Sequence, residues 1–200
     1  MSGTGAAGSG DGAAGSGDGL VVLQRDGRIL FGCKGPRAAD WLAAQGLPIP
    51  AAPNTWTALA GAGDRGVDTP LIARLGSSEF FLEEGSDGGR VTAIAAACAA
   101  AAPAGAYPVL RQDWSFAVSG SGAEDFLAQV CNVHFAALDL AAAPVIMTLM
   151  VGVVVLIVPQ AAAGGRTYRI WCDPTYGPYL GSALQGVVGE SGGTYRGRTQ

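Results

Sequence analysis

Phe31-Gly-Cys-Lys-Gly-Pro-Arg-Ala-Ala-Asp40-Trp41-Leu42-Ala43 and Phe116-Ala-Val-Ser-Gly-Ser-Gly-Ala-Glu-Asp125-Phe126-Leu127-Ala128 are one pattern written twice. Phe31 aligns with Phe116, Gly35 with Gly120, Asp40 with Asp125, Trp41 with Phe126 and Leu42 with Leu127, each pair 85 residues apart. In both copies a short apolar stretch meets a glycine and then a helix-period spacing of apolar residues. The reading is a strand, a glycine corner and an amphipathic helix in each half.

Working outward from the first copy, Leu20 to Leu23 and Arg28 to Cys33 read as strands joined by an Asp26-Gly27 turn. Pro36 suits a first helical turn, and Gly46 stops the helix. A Pro- and Gly-rich loop from Pro48 to Pro70 follows, then a hairpin of Leu71–Leu75 and Glu79–Glu83, then an Ala-rich helix from Val91 to Ala102. The second half repeats the order. Ser115–Val118 is the strand, Ser121 and Glu124 form a capping box, and Ala123, Phe126, Leu127 and Val130 form the buried stripe. Ile146–Val158 and Tyr168–Cys172 read as strands around Gly164-Gly165. Asp173 and Pro174 open a last helix near Tyr176–Val188. The fold class is α+β, two tandem β-α-β-β-α units with helices covering a mostly antiparallel sheet. The domain spans 20–190, in halves of about 20–103 and 107–190. Residues 1–19, which repeat Ala6-Ala-Gly-Ser-Gly-Asp-Gly12 as Ala13 to Gly19, read as a flexible tail. Residues 191–200 read as a second one.

Composition removes several function classes. Twelve Lys and Arg on a chain of net charge −4 leave no basic face for nucleic acid. Val145 to Val158 is apolar, but about 15 residues fall short of the roughly 20 a membrane helix needs. Its β-branched residues favour a strand covered on both faces, so no membrane span is expected. The four cysteines are far apart and read as buried reduced thiols, which suits a cytoplasmic protein.

Titratable chemistry is sparse. His134 is the only histidine and reads as a packed, structurally satisfied one. Ser119-Gly-Ser-Gly122 precedes a helix, yet Asp125 stands where a dinucleotide loop needs its third glycine. No catalytic, cofactor-binding or metal-ligating residue is assigned. Arg111 and Asp113 form the densest polar cluster near a core element, open to reading as an interface ion pair, a substrate contact or a solvated turn, with a turn or interface favoured. Trp171, Tyr176 and Tyr179 gather where the last strand meets the last helix, as core or as interface aromatics.

Leu110-Arg-Gln-Asp113, Phe116-Ala-Val-Ser-Gly120, Phe126-Leu-Ala-Gln-Val-Cys131 and Tyr168-Arg-Ile-Trp-Cys-Asp173 with Tyr179-Leu180 resemble the gamma subunit of heterotetrameric sarcosine oxidase. Lys34-Gly35-Pro36 and Trp41-Leu-Ala-Ala-Gln-Gly-Leu-Pro48 resemble the N-terminal half of the same family. The resemblance covers roughly residues 20–190. It implies a duplicated fold related to the folate-binding, ferredoxin-like domains of glycine-cleavage aminomethyltransferase. It also implies a structural subunit beside alpha, beta and delta chains, in a flavoenzyme that oxidatively demethylates sarcosine to glycine. FAD, FMN, NAD, tetrahydrofolate and zinc would then belong to the partner chains. N-methylglutamate and dimethylglycine dehydrogenases use similar chains. The rival is a free-standing folate-binding, one-carbon transfer protein, which needs an acidic residue in a central pocket to hold the pterin.

Overall fold

Gly35 and Gly120 turn their chains at φ 129° and 97°, a region that L side chains rarely adopt. A Cβ at Gly35 would strike the Gly105 carbonyl oxygen, and one at Gly120 the Gly19 carbonyl oxygen. Each corner therefore admits the backbone that leads into the other half's first strand. The computed structural model describes residues 19–59, 66–162 and 164–197. The expected tail at 1–19 lies outside them except for Gly19.

The first half comprises β1 (Val21–Gln24), β2 (Ile29–Lys34), α1 (Ala38–Ala44), β3 (Thr55–Ala58), β4 (Leu71–Arg74), β5 (Glu79–Glu84) and α2 (Arg90–Ala101). The second repeats it as β6 (Tyr107–Val109), β7 (Trp114–Ser119), α3 (Ala123–Val130), β8 (Ile146–Met150), β9 (Val153–Ala162), β10 (Gly165–Cys172) and α4 (Gly177–Glu190), then β11 (Thr194–Arg196). The sheet orders are β3-β4-β5-β2-β6 and β11-β1-β7-β10-β9-β8. Element for element these correspond, with β1 and β6 exchanged: β1 pairs with β7, and β6 with β2. The halves thus interlock and are not separable at 103–107.

Four layers follow, helices outside and sheets inside. One apolar core joins α1 and α2 to the first sheet, through Leu42, Val91, Ile94, Phe80 and Leu82. A second joins α3 and α4 to the other sheet, through Phe126, Leu127, Leu184, Phe116 and Ile170. The expected stripe of Ala123, Phe126, Leu127 and Val130 is the buried face of α3. A third core lies between the sheets and includes Leu71, Phe81, Leu156, Val158 and Trp171.

Several expectations are corrected. Ile146–Val158 is a hairpin and not one strand: Val151 and Gly152, at φ 49° and 81°, make its two-residue turn. Such a turn favours Asn-Gly or Gly-Gly, so a valine in it carries no turn signal. The stretch is also not covered on both faces, since Met147, Leu149 and Val154 are exposed. The Pro48–Pro70 loop contains β3, which pairs with β4. Thr194–Arg196 lies parallel to β1, so part of the expected C-terminal tail is a strand. The start of α3 differs from the expected capping box: Gly122 is its N-cap, with no side-chain cap hydrogen bond, and Glu124 accepts from the Tyr168 hydroxyl at 2.8 Å. The firmer helix start is that of α2, where the buried Glu84 carboxylate accepts from the backbone N–H groups of Arg90, Val91 and Thr92.

Candidate functional site

β5 and β10 occupy equivalent places in the two sheets, and alternate side chains on each point inward. From β5 come Phe81 and Glu83; from β10 come Arg169 and Trp171. Glu83 and Arg169 are both fully buried and pair at 2.6 Å. Arg25 and Arg28 reach the same carboxylate at 2.9 Å each, and the indole N–H of Trp171 donates to its other oxygen. Phe81 meets Trp171 edge to face at 5.1 Å. Arg169 also donates to the Thr69 carbonyl at 2.6 Å, and Arg25 to the Ser115 hydroxyl at 3.0 Å. Four side chains, from the β1–β2 connection and from β10, end on one carboxylate.

Burial alone would raise the Glu83 pKa, but the three guanidiniums hold it below its ordinary value. Burial, with Arg25 and Arg28 adding, lowers Arg169 to about 10 although Glu83 opposes. A carboxylate held ionised by three cations is no general acid or base near neutrality. Its chemistry is that of a clamp between the halves. Its signal in the sequence is a glutamate and an arginine among apolar strand residues, which no motif or spacing connects.

The loop from Leu110 to Asp113, between β6 and β7, separates two concavities. The larger, about 530 Å³, is lined by Leu75, Glu79, Leu110, Met147, Val154 and Trp171 among others. The smaller, about 340 Å³, is lined by Gln24, Arg25, Arg28, Trp114 and Ser115. Arg111, Gln112 and Asp113 face both. Arg111 pairs with Glu79 of β5 at 3.1 Å and approaches Asp113 at 3.6 Å, so it ties the two halves together. Burial pushes the Asp113 carboxyl above its ordinary value, against the pull of Arg111. Cys172, on the wall of the larger concavity, is pushed up to about 12 by burial and by Asp113 and Asp173, so it holds its proton.

The residues expected at an interface divide. Arg111 and Asp113 line the concavities, with side chains 20% and 14% exposed. Tyr176 and Tyr179 are exposed, and the Tyr179 hydroxyl reaches the Val151 carbonyl at 3.3 Å, beside the β8–β9 turn. Trp171 is buried between the sheets, because β10 directs it inward, while α4 leaves Tyr179 exposed. It is core and not an outer surface. His134 is exposed rather than packed, since Phe135 takes the buried position in the 3₁₀ turn that follows. All four cysteines are buried and free. Among the described residues no group of three or more His, Cys, Asp or Glu could hold a metal ion, and no helix is long and apolar enough to cross a membrane.

No family model and no curated protein matches this chain by sequence. Solved structures do match in fold. Aminomethyltransferase T of the glycine cleavage system from Bartonella henselae superposes with a TM-score of 0.67 at 17% identity, over 91% of this chain and 49% of that one. This chain therefore spans about half the length of the aminomethyltransferase. A heterotetrameric sarcosine oxidase from Corynebacterium sp. U-96, in complex with pyrrole 2-carboxylate, superposes with a TM-score of 0.65 at 15% identity, over 90% of this chain and 89% of that one. The chain is an α+β protein with the fold of these two structures. At such identity, the likeness defines fold and not activity.

Proposed function

We propose that this chain is the gamma-type structural subunit of a heterotetrameric sarcosine oxidase-type flavoenzyme, assembled with alpha, beta and delta chains. The supporting observation is the fold match to the sarcosine oxidase chain, which covers 90% of this chain and 89% of that one. The middle of the duplicated fold adds support, because Glu83, Arg169, Phe81 and Trp171 fill it with contacts to one another. In this reading the demethylation of an N-methyl amino acid, and the FAD, FMN, NAD, tetrahydrofolate and zinc that serve it, reside on the other subunits. This chain sits with them in the cytoplasm and contributes surface.

The test is co-expression with the alpha, beta and delta chains, followed by affinity purification and mass measurement of the complex. The expected result is one particle containing this chain and flavin. A clean monomer that leaves the flavoprotein chains behind overturns the reading.

One observation favours the folate-binding rival: Asp113 is an acidic residue facing both concavities. Calorimetric titration of the isolated chain with tetrahydrofolate separates the two readings. Saturable binding that Asp113→Asn abolishes would make the rival correct.

A further inference from the structure

The inner face of the six-stranded sheet continues past its cover. Along β9, Val158, Leu156 and Val154 share that face, and their exposure runs 0%, 9% and 70%. Leu149 lies opposite Val154 and Met147 opposite Leu156, so both belong to the same face. Both are more than half exposed. Across the larger concavity stands Leu110, at 82% exposure. Single exposed apolar residues are ordinary, but neighbouring ones rimming a concavity mark an interaction surface.

The polar lining has a sign. Glu79, Asp113 and Asp173 stand there against Arg111 alone. Arg111 is already engaged by Glu79 and Asp113. Among the described residues Asp173 forms no ion pair and accepts from the N–H and hydroxyl of Thr175, at 2.8 Å and 2.5 Å. The surface is therefore apolar and negative, which repels an anionic membrane. It also disfavours a second copy docking face to face, since an isologous contact would set carboxylate against carboxylate.

We propose that this concavity is the seat of a neighbouring larger subunit, filled by an apolar segment that carries a lysine or arginine. The inference rests on the structural-subunit reading given above. The segment's apolar side chains cover Leu110, Met147, Leu149 and Val154, and its cation lies against Asp113 and Asp173. Arg111 is the strut that holds the acidic side of the groove in place.

The experiment measures affinity of the full chain for the co-expressed flavoprotein chains, at low and at high salt. Val154→Glu and the double variant Met147→Glu with Leu149→Glu change only exposed positions, and unchanged melting curves verify their folding. Each is expected to weaken association about tenfold or more. Asp173→Asn, which keeps a helix-capping side chain, is expected to weaken it about threefold and to flatten the salt dependence. If the wild type assembles and the glutamate variants assemble equally well, the seat lies elsewhere, and this inference falls while the structural-subunit reading stands. If even the wild type does not assemble, both fall. Loss with the glutamate variants but no effect of Asp173→Asn or salt removes the lysine or arginine from the segment. A dimer of the isolated chain that Val154→Glu makes monomeric identifies a second copy as the occupant and overturns the inference.

Discussion

Glu83 and Trp171 stand at equivalent positions of the two halves. Leu30 of β2 pairs with Glu83, and Ser115 of β7, 85 residues after Leu30, pairs with Trp171. By the same register Gly32 pairs with Phe81, and Ala117 with Arg169. The ion pair Glu83–Arg169 and the ring pair Phe81–Trp171 are thus mates across the duplication. One pair became ionic and the other aromatic. They are joined by the indole N–H on Glu83 and by Arg169 lying 5.3 Å from the Trp171 ring centroid.

Removing the charge of Glu83 leaves three guanidiniums around a neutral group in the interior. Glu83→Gln is expected to lose about 3–5 kcal/mol of unfolding free energy, the scale for breaking a buried pair. Glu79→Gln, at a partly exposed ion pair, is expected to lose less than about 1 kcal/mol. Urea unfolding of both variants checks the contrast. In a cycle with Arg169→Gln, the double variant should lose less than the two singles together, because they share one interaction.

The same cluster sets the acid response. The folded-state pKa of Glu83 lies below its unfolded value, so its stabilisation is fully present above the unfolded value, near 4.5. It is lost as pH falls from there through the folded value. Urea midpoints are expected to hold between pH 6 and 8 and to drop below about pH 4.5. Glu83→Gln should show a shallower drop over the same acid range. An equal drop in both proteins would place the acid sensitivity elsewhere.

The duplication, both glycine corners and the stripe of α3 were legible because each is a local pattern with a fixed period. The exchange of β1 and β6 was not, since Val21–Gln24 reads as a strand whichever half it joins, and only the Gly19 and Gly105 backbones decide the crossing. Among the candidate site residues, Arg111 and Asp113 were found as a dense polar cluster beside a strand. Glu83, Arg169 and the pair Arg25 and Arg28 were missed because these three places lie far apart in sequence and meet in the interior. Trp171 was grouped with Tyr176 and Tyr179 by spacing, but the alternation of β10 sends it to the opposite side.

Phe126 fills the core beneath α3, so Phe126→Ala is expected to lose about 3–5 kcal/mol. That is a large share of the roughly 5–15 kcal/mol of an ordinary domain. His134→Gln, at an exposed position, should change stability by less than about 0.5 kcal/mol. It should also leave turnover of the assembled complex unchanged. Loss of turnover with assembly intact would bring His134 into the chemistry.

Gly120 tests whether the glycine corners hold the exchange of strands. Gly192 also has positive φ, at 69°, but among the described residues beyond its chain neighbours no atom lies within 4 Å of where its Cβ would be. Gly192→Ala is therefore expected to cost only the left-handed backbone term, about 1–2 kcal/mol. Gly120→Ala adds a collision with the Gly19 carbonyl, which is backbone and cannot rotate away. The chain before β1 must move, and β1 pairs with β7 over the four residues Val21–Gln24. Gly120→Ala should thus cost clearly more than Gly192→Ala and should raise amide exchange selectively in β1. Gly35→Ala should do the same to β6, through Gly105. If β1 amides keep wild-type protection in Gly120→Ala, the corner does not hold the crossing, and pairing with β7 and β11 alone must secure it.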